Sequence, residues 1–359
     1  MIHDLFPADQ ELTTFDAQRK PQILIAGPCS AETEAQVLAT AEALSKIGID
    51  YFRAGVWKPR TSPGSFEGNG NIALQWLQKA KELYGIKVAV EVATPKHIEE
   101  ALAHQVDLLW IGARTTVNPF AVQEIADALK GINVPVMVKN PMNPDLGLWI
   151  GAIKRLQKAG ITEIMACHRG FNVYHTSVLR NPPLWEIPLE FKRRMPEIPL
   201  ICDPSHICGN RLDLANIAQR AMDLGFEGLI LETHPTPDEA WSDAAQQITP
   251  NRFLELISQL RYRKTSSQNL LYNTYLQQLR VEIDEIDEQL LGLLADRLKL
   301  AKKIGEIKNQ NGVAFFQHDR WSEVLQHIQQ LAQQLGINPD FAQKLFELMH
   351  LESLEIQGE

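Results

Sequence analysis

Arg53-Ala54-Gly55-Val56-Trp57-Lys58-Pro59-Arg60-Thr61-Ser62-Pro63-Gly64-Ser65-Phe66-Glu67-Gly68 is the stretch from which the fold is read. The apolar run Tyr51 to Val56 predicts a strand. It breaks at Lys58-Pro59 into a loop holding two prolines and two glycines. Proline fixes φ and lowers the entropy lost on ordering, so Lys, Arg, Thr and Ser stand on a stiffened backbone. Arg pairs with phosphate oxygens two at a time and Lys adds a point charge, so the loop suits a phosphate. An isolated Lys-Pro-Arg reads as a solvated basic turn; its place in the chain argues otherwise.

Working outward, this strand is one of eight. The runs Ile23–Ser30, Tyr51–Val56, Lys87–Val92, Leu108–Ala113, Pro135–Asn140, Glu163–Arg169, Pro199–His206 and Gly228–His234 are β-rich. Helical patterns such as Thr33–Ile47, Asn71–Tyr84 and Arg211–Leu224 separate them. Apolar strands alternating with amphipathic helices make βαβ units and a parallel sheet. Eight units predict a (β/α)₈ TIM barrel, an α/β fold. A doubly wound open sheet is the alternative, but no GxGxxG follows the first strand.

After Pro250 the chain has one proline, Pro339, and the segment from Arg261 to Asn269 is polar. The expected organisation is a barrel domain over 1–262, a linker over 263–268 and an all-helical domain over 269–359. In the last, Leu276, Leu279, Ile283, Ile286, Leu290, Leu293 and Leu294 recur at spacings of three and four. They predict a first helix running to Lys308, about 60 Å long at 1.5 Å per residue. A second runs from Asp319 to Leu335, and Asn338-Pro339-Asp340 opens a third. A lone helix of that length leaves its apolar stripe uncovered, which predicts a homodimer through the helical domain.

A net charge of −9 argues against nucleic acid or an anionic membrane as the main partner. No apolar run approaches a membrane span, and the stretch from Met1 to Lys20 has no secretory core. Cys29, Cys167, Cys202 and Cys208 form no CxxC, so free thiols and a cytoplasmic setting are expected. Anionic substrates must then meet local cationic clusters.

Cys29, Lys58, Glu91, Arg114, Lys139, Arg169, His206 and Glu232 each fall at or just past the end of a different strand. A barrel brings those ends to one mouth. Charge or metal-ligand chemistry at all eight ends is hard to explain as surface decoration, because that many charges buried without partners would be costly. Cys29, His206, Glu232 and Asp243 form a plausible ligand set for one exchangeable divalent transition ion. Cys202, Cys208, His168 and His234 are rival ligands that spacing leaves open. Arg53, Lys58, Arg114, Lys139 and Arg169, extended by Arg60 and Thr61, supply more positive charge than one phosphate needs, which suggests two anionic partners. Glu91 either handles a proton or neutralises a neighbouring cation.

Gly27-Pro28-Cys29-Ser30, Lys58-Pro59-Arg60-Thr61-Ser62-Pro63, Ile111-Gly112-Ala113-Arg114, Val138-Lys139, Cys167-His168-Arg169-Gly170, Asp203-Pro204-Ser205-His206 and Leu231-Glu232-Thr233-His234-Pro235 resemble, in order, the motif series of the 3-deoxy-D-arabino-heptulosonate 7-phosphate (DAHP) synthase family. The resemblance implies condensation of phosphoenolpyruvate with erythrose 4-phosphate. It implies Cys29, His206, Glu232 and Asp243 as ligands of a divalent metal. Mn²⁺ is expected first, with Fe²⁺, Co²⁺ or Zn²⁺ as alternatives and no organic cofactor. Arg53, Lys58, Ala113, Arg114, Lys139 and Arg169 match phosphoenolpyruvate contacts, and Lys58, Pro59, Arg60 and Thr61 match aldose contacts. Lys58 and Glu91 are the candidates for proton handling. The sibling family that makes 3-deoxy-octulosonate 8-phosphate resembles Lys-Ala-Asn-Arg-Ser in this loop, so Lys58-Pro59-Arg60-Thr61 favours the four-carbon aldose. About twenty residues precede the first strand, where some relatives carry a regulatory domain; none is expected here.

Leu279-Arg280-Val281-Glu282-Ile283-Asp284-Glu285-Ile286-Asp287, Ala295-Asp296-Arg297 and Ile304-Gly305-Glu306-Ile307-Lys308 resemble the all-helical chorismate mutase family. Arg297 and Lys308, eleven residues apart, share a helix face. The resemblance implies that Arg280, Arg297, Lys308 and Arg320 bind the carboxylates and ether oxygen of chorismate. Ser353 and Gln357 match polar residues late in the last helix. Arg297, Lys308 and Gln357 are the catalytic candidates. Arg280 is turned about a quarter turn away, which fits what the resemblance implies, that the matching arginine of the family reaches the partner chain's site. Gln317 and Trp321 depart from the pattern, standing where that family commonly has acidic residues near the substrate hydroxyl. A bifunctional shikimate-pathway enzyme is therefore expected. The alternative is a synthase whose helical domain only dimerises and senses chorismate or prephenate. In both, a ligand of the helical site is expected to inhibit the barrel allosterically.

Overall fold

The computed structural model describes residues 22–58, 64, 66–174, 178–263 and 268–358. Eight strands, β1 (Ile23–Gly27), β2 (Tyr51–Arg53), β3 (Val88–Val92), β4 (Leu108–Ile111), β5 (Val136–Lys139), β6 (Ile164–His168), β7 (Leu200–Cys202) and β8 (Gly228–Glu232), pair in parallel in sequence order. The sheet closes between its first and last members, with Ile23 opposite Gly228 and Gly27 opposite Glu232. The strands are continuous apolar runs because both faces are covered. Ile25, Ala89, Leu108, Trp110, Met137, Met165, Cys167, Ile201 and Ile230 fill the barrel interior. Alternate positions such as Leu24, Phe52, Val90 and Leu109 pack outward against the helices. That two-residue alternation makes the inside a packed core rather than a channel.

Local chemistry sets the helix starts. Thr33, Thr94, Asn118, Asp145 and Thr249 each cap a crossover helix by accepting from a backbone N–H of its first turn. Three of these helices open on proline, Pro95, Pro119 and Pro250, where the missing N–H costs nothing.

Several strands stop earlier than their apolar runs suggest. The run Pro199–His206 ends as a strand at Cys202, and His206 lies in a five-residue helix, Pro204–Cys208. Asp203 caps that helix and Pro204 starts it, so the chain turns before the ladder can continue. Likewise Leu108–Ala113 ends at Ile111, and Arg114 sits in the short helix Ala113–Thr116. Tyr51–Val56 keeps strand pairing only to Arg53. In each case the lost residues have become loop or short helix after the strand's C-terminal end.

The chain divides into two compact units, Met1–Thr265 and Ser266–Glu359. The second holds three helices, Leu270–Gln310, His318–Gln334 and Pro339–Gly358. Asn269 caps the first, which runs for 41 residues. Gly305 lets its last turns approach the third helix: a Cβ there would lie 2.6 Å from the Gln357 Cα. The first helix carries Leu279, Ile283, Ile286, Leu290 and Leu293 in the open, Ile283 at 56% exposure. Among the described residues no helix is long and apolar enough to cross a membrane.

Candidate active sites

The C-terminal ends of the barrel strands gather most of the sequence-predicted residues. Lys58, Glu91, Gly112, Ala113, Arg114, Lys139, Arg169, His206 and Asp243 line one cavity. Pro59, Arg60 and Thr61 lie outside the described residues. Gly112 lets the Glu91 carboxylate lie close to the backbone, since Oε1 would stand 2.1 Å from a Cβ there. Trp110 Nε1 donates to Glu91 Oε2 at 3.0 Å and fixes that carboxylate at the rim.

Ligand atoms of Cys29, Glu232 and Asp243 all fall within 4.8 Å of one another. His206 stands just outside that trio, with Nε2 3.7 Å from Glu232 Oε1 and Nδ1 2.8 Å from Asp203 Oδ2. A carboxylate behind an imidazole is the arrangement that orients metal-bound histidines. Burial pushes the ring's pKa down despite Asp203, so it is neutral and able to ligate. Burial first, then Glu232 and Asp243, pushes the Cys29 thiol up to about 11 against the pull of Lys58 and Arg53. Two carboxylates and a thiol crowded at one point call for a cation, and a divalent ion is what would turn that thiol into thiolate. Asp243 holds a left-handed backbone conformation, φ 47°, which strains a non-glycine residue and is common at functional positions. The donor set therefore fits a metal.

Three cations attend this cluster. Lys58 Nζ donates to both Cys29 O and Cys29 Sγ at 2.9 Å. Burial works against its ammonium, but Cys29 and Glu232 outweigh burial and raise its pKa. Arg53 is buried beneath the mouth, with Nη2 3.0 Å from Glu232 Oε1 and its guanidinium over the Trp110 ring. It does not line the cavity, although its Nε and Nη1 have no hydrogen-bond partner among the described residues. Lys139 donates to Asp203 at 2.8 Å. Around the cavity wall Arg169 is depressed to about 10, first by burial and then by Arg180 and Arg114 against Asp203. Guanidinium groups crowded this closely mark an anion site.

Sequence reasoning missed three members. Arg180 donates to Asp243 Oδ1 and Gln246 Oε1, each at 3.0 Å, and lines the cavity. Gln246 donates to Glu232 Oε2 at 2.7 Å. Asp203 carries both His206 and Lys139. The rival ligands find other places. Cys202 and Cys208 belong to the apolar layer outside the sheet. His168 is boxed by Trp149, Phe171, Trp185 and Phe226. His234 accepts from Thr236 N at Nδ1, which leaves Nε2 facing Glu32 at 3.3 Å.

The helical unit has a pocket of about 450 Å³ lined by Arg297, Lys308, Gln317, Arg320, Trp321, His350, Ser353 and Gln357 among others. Arg297 donates to Ser353 Oγ and to Met349 O, and Lys308 donates to Phe315 O at 2.6 Å. These bonds aim two cations across one cavity. Arg280 is exposed and is not part of the lining.

Residues 6–267 match the model of the DAHP synthetase I family, and residues 279–358 match that of chorismate mutase type II. A phospho-2-dehydro-3-deoxyheptonate aldolase of Thermotoga maritima is 31% identical over 238 residues, 66% of this chain and 68% of that protein. A 2-dehydro-3-deoxyphosphooctonate aldolase of Francisella tularensis subsp. holarctica is 27% identical, over 67% of this chain and 91% of its own. The crystal structure of the Thermotoga maritima aldolase, a DAHP synthase, superposes with a TM-score of 0.59 at 30% identity, covering 66% of this chain and 67% of that one.

Proposed function

Since the chain belongs to the DAHP synthetase I family and carries a chorismate mutase type II domain after it, we propose that one polypeptide catalyses two reactions. The first joins phosphoenolpyruvate to erythrose 4-phosphate, giving DAHP and phosphate; the second rearranges chorismate to prephenate. The observation that carries the first is the convergence of Cys29, Glu232 and Asp243 beside a cavity walled by Lys58, Arg114, Lys139 and Arg169.

In this reading Cys29, His206, Glu232 and Asp243 hold one divalent ion, Mn²⁺ first. When bound, the ion supplies Lewis-acid polarisation of the aldehyde. Lys58 donates a hydrogen bond to the aldehyde oxygen and supplies its proton. Arg114, Lys139 and Arg169 clamp the phosphate and carboxylate of phosphoenolpyruvate. C3 of the enol then bonds to the aldehyde carbon, water adds at C2, and phosphate leaves with its C–O bond. In this reading Glu91, which accepts from Trp110 Nε1, takes the proton from that water. Lys58-Pro59-Arg60-Thr61 favours the four-carbon aldose, although relatives of this barrel also include octulosonate-type aldolases.

Mutase chemistry needs no covalent step: Arg297, Lys308, Arg320 and Gln357 hold the reactive conformer and stabilise charge on the breaking ether. The open apolar stripe from Leu279 to Leu293 is the surface a second copy would cover, and Arg280 would then reach the partner's pocket. A second reading, binding and sensing without turnover, rests on Gln317 and Trp321 in the pocket wall. Paired steady-state assays on the full chain separate these. The bifunctional reading expects DAHP formation faster with the four-carbon than with a five-carbon aldose phosphate, together with chorismate loss. Prephenate binding without chorismate loss supports the sensing reading. If saturating chorismate and prephenate leave synthase rate and affinities unchanged, the expected coupling is absent.

A further inference from the structure

We propose that His350 supplies the contact to the substrate's ring hydroxyl in the helical pocket, in place of the acidic side chains this chain lacks at Gln317 and Trp321. The proposal rests on the reading of that pocket as a chorismate site. Chorismate and prephenate each carry two carboxylates and one ring hydroxyl. Arg297, Lys308 and Arg320 are donors only and answer the carboxylates. The hydroxyl also has a proton to give, so an acceptor has to face it. Trp321 cannot serve, because an indole N–H only donates. Ser353 Oγ is already engaged with Arg297 and with Met349 O.

His350 lies against Trp321 with ring centroids 4.0 Å apart and planes 7° from parallel. The Phe316 ring centroid stands 6.1 Å away, its plane tilted 53° to the imidazole. The stack brings a group with a lone pair to the side of Trp321, whose own side chain has none. His350 Nε2 is buried, lines the pocket with its residue, and has no hydrogen-bond partner among the described residues. Gln357 Oε1, in the same pocket, is in the same condition. Buried polar atoms without partners are rare in folded proteins, and two in one cavity mark where a polar ligand belongs. Burial, with Arg297 and Lys308 nearby, lowers the His350 pKa, so the neutral ring is available to accept or donate.

The test compares the full-length wild type with His350→Phe and His350→Gln. Phenylalanine keeps a flat ring against Trp321 but has no nitrogen; glutamine restores a donor and an acceptor. Inhibition of chorismate turnover, or direct binding, is measured for prephenate and for a cyclohexadiene dicarboxylate lacking the hydroxyl. We expect His350→Phe to weaken prephenate about tenfold or more and the hydroxyl-free ligand by less than about threefold, with His350→Gln recovering part of the loss. Equal losses for both ligands would show that His350 only supports Trp321, and unchanged binding of both would remove the contact altogether. If the wild type binds neither ligand, the chorismate reading of the pocket falls first and this assignment with it.

Discussion

The two candidate sites differ in where their charges are answered. In the barrel several charges meet a partner of opposite sign from another part of the fold: Arg53 meets Glu232, Lys139 and His206 meet Asp203, and Asp243 meets Arg180. These residues come from strands and loops far apart in sequence, and closure of the sheet sets their positions. In the helical pocket Arg297 and Lys308 are held mainly by backbone carbonyls and one hydroxyl, and Arg320 by an exposed Glu323. The barrel is thus built to hold charge before a substrate arrives. The helical pocket leaves Arg297 and Lys308 without a carboxylate partner among the described residues.

Metal removal should break the comparison most sharply. Treating the full chain with a chelator should abolish DAHP formation while chorismate loss continues, and Mn²⁺ should restore the first. Full synthase activity in metal-free protein would reject a Lewis acid at Cys29, His206, Glu232 and Asp243. Next in size is Arg297→Ala. It removes a donor that the mutase reading places on the breaking ether and a carboxylate, so chorismate turnover should fall about 10²–10³-fold, judged by the loss of one preorganised donor elsewhere. Unchanged DAHP formation by the same variant would show that the two sites do their chemistry separately.

A smaller effect is expected at Asp203→Asn. The amide keeps the shape but no longer holds His206 and Lys139 by charge. Metal affinity, read by competition with a chelator, should weaken about 10–100-fold, the range for partners standing behind metal ligands. Unaltered affinity with slower turnover would place the role of Asp203 on Lys139 instead.

The barrel was legible because its evidence repeats. Eight apolar runs each ended in a reactive or charged residue, and parallel strands bring equivalent ends together. Cys29, Glu232 and Asp243 could be paired on paper because two of them stand at strand ends. Asp203 appeared only inside a motif, since its importance depends on Lys139, 64 residues away in sequence. Arg180 sits in a loop and Gln246 in a single 3₁₀ turn, Ala244–Gln246, too short to show a period, so nothing in the sequence aims them at Asp243 and Glu232. His350 was invisible for a similar reason: its stack on Trp321 joins two helices, and a helix period fixes faces within one helix only.

His168 offers the smallest test, and it sharpens the contrast between a buried and an open site. The ring is fully enclosed by Trp149, Phe171, Trp185 and Phe226. Neither nitrogen has a hydrogen bond of good geometry among the described residues, the Pro183 carbonyl being a poor partner. Burial first, then Arg169, pushes its pKa down to about 3. The unfolded chain takes up a proton below the ordinary histidine value, while the folded chain refuses it. Stability from this residue is therefore complete above about pH 6.5 and is lost as pH falls, at about 1.4 kcal/mol per unit. Between pH 7.5 and 5 the loss comes to about 2 kcal/mol, before carboxylate protonation contributes. His168→Leu, close in volume and unable to titrate, should flatten that part of the barrel's acid sensitivity. Scanning calorimetry at the two pH values reads the result as the difference in the barrel's unfolding temperature. A variant that loses as much on acidification as the wild type would assign the sensitivity to other buried groups, with His206, whose pKa is also lowered, the first to examine.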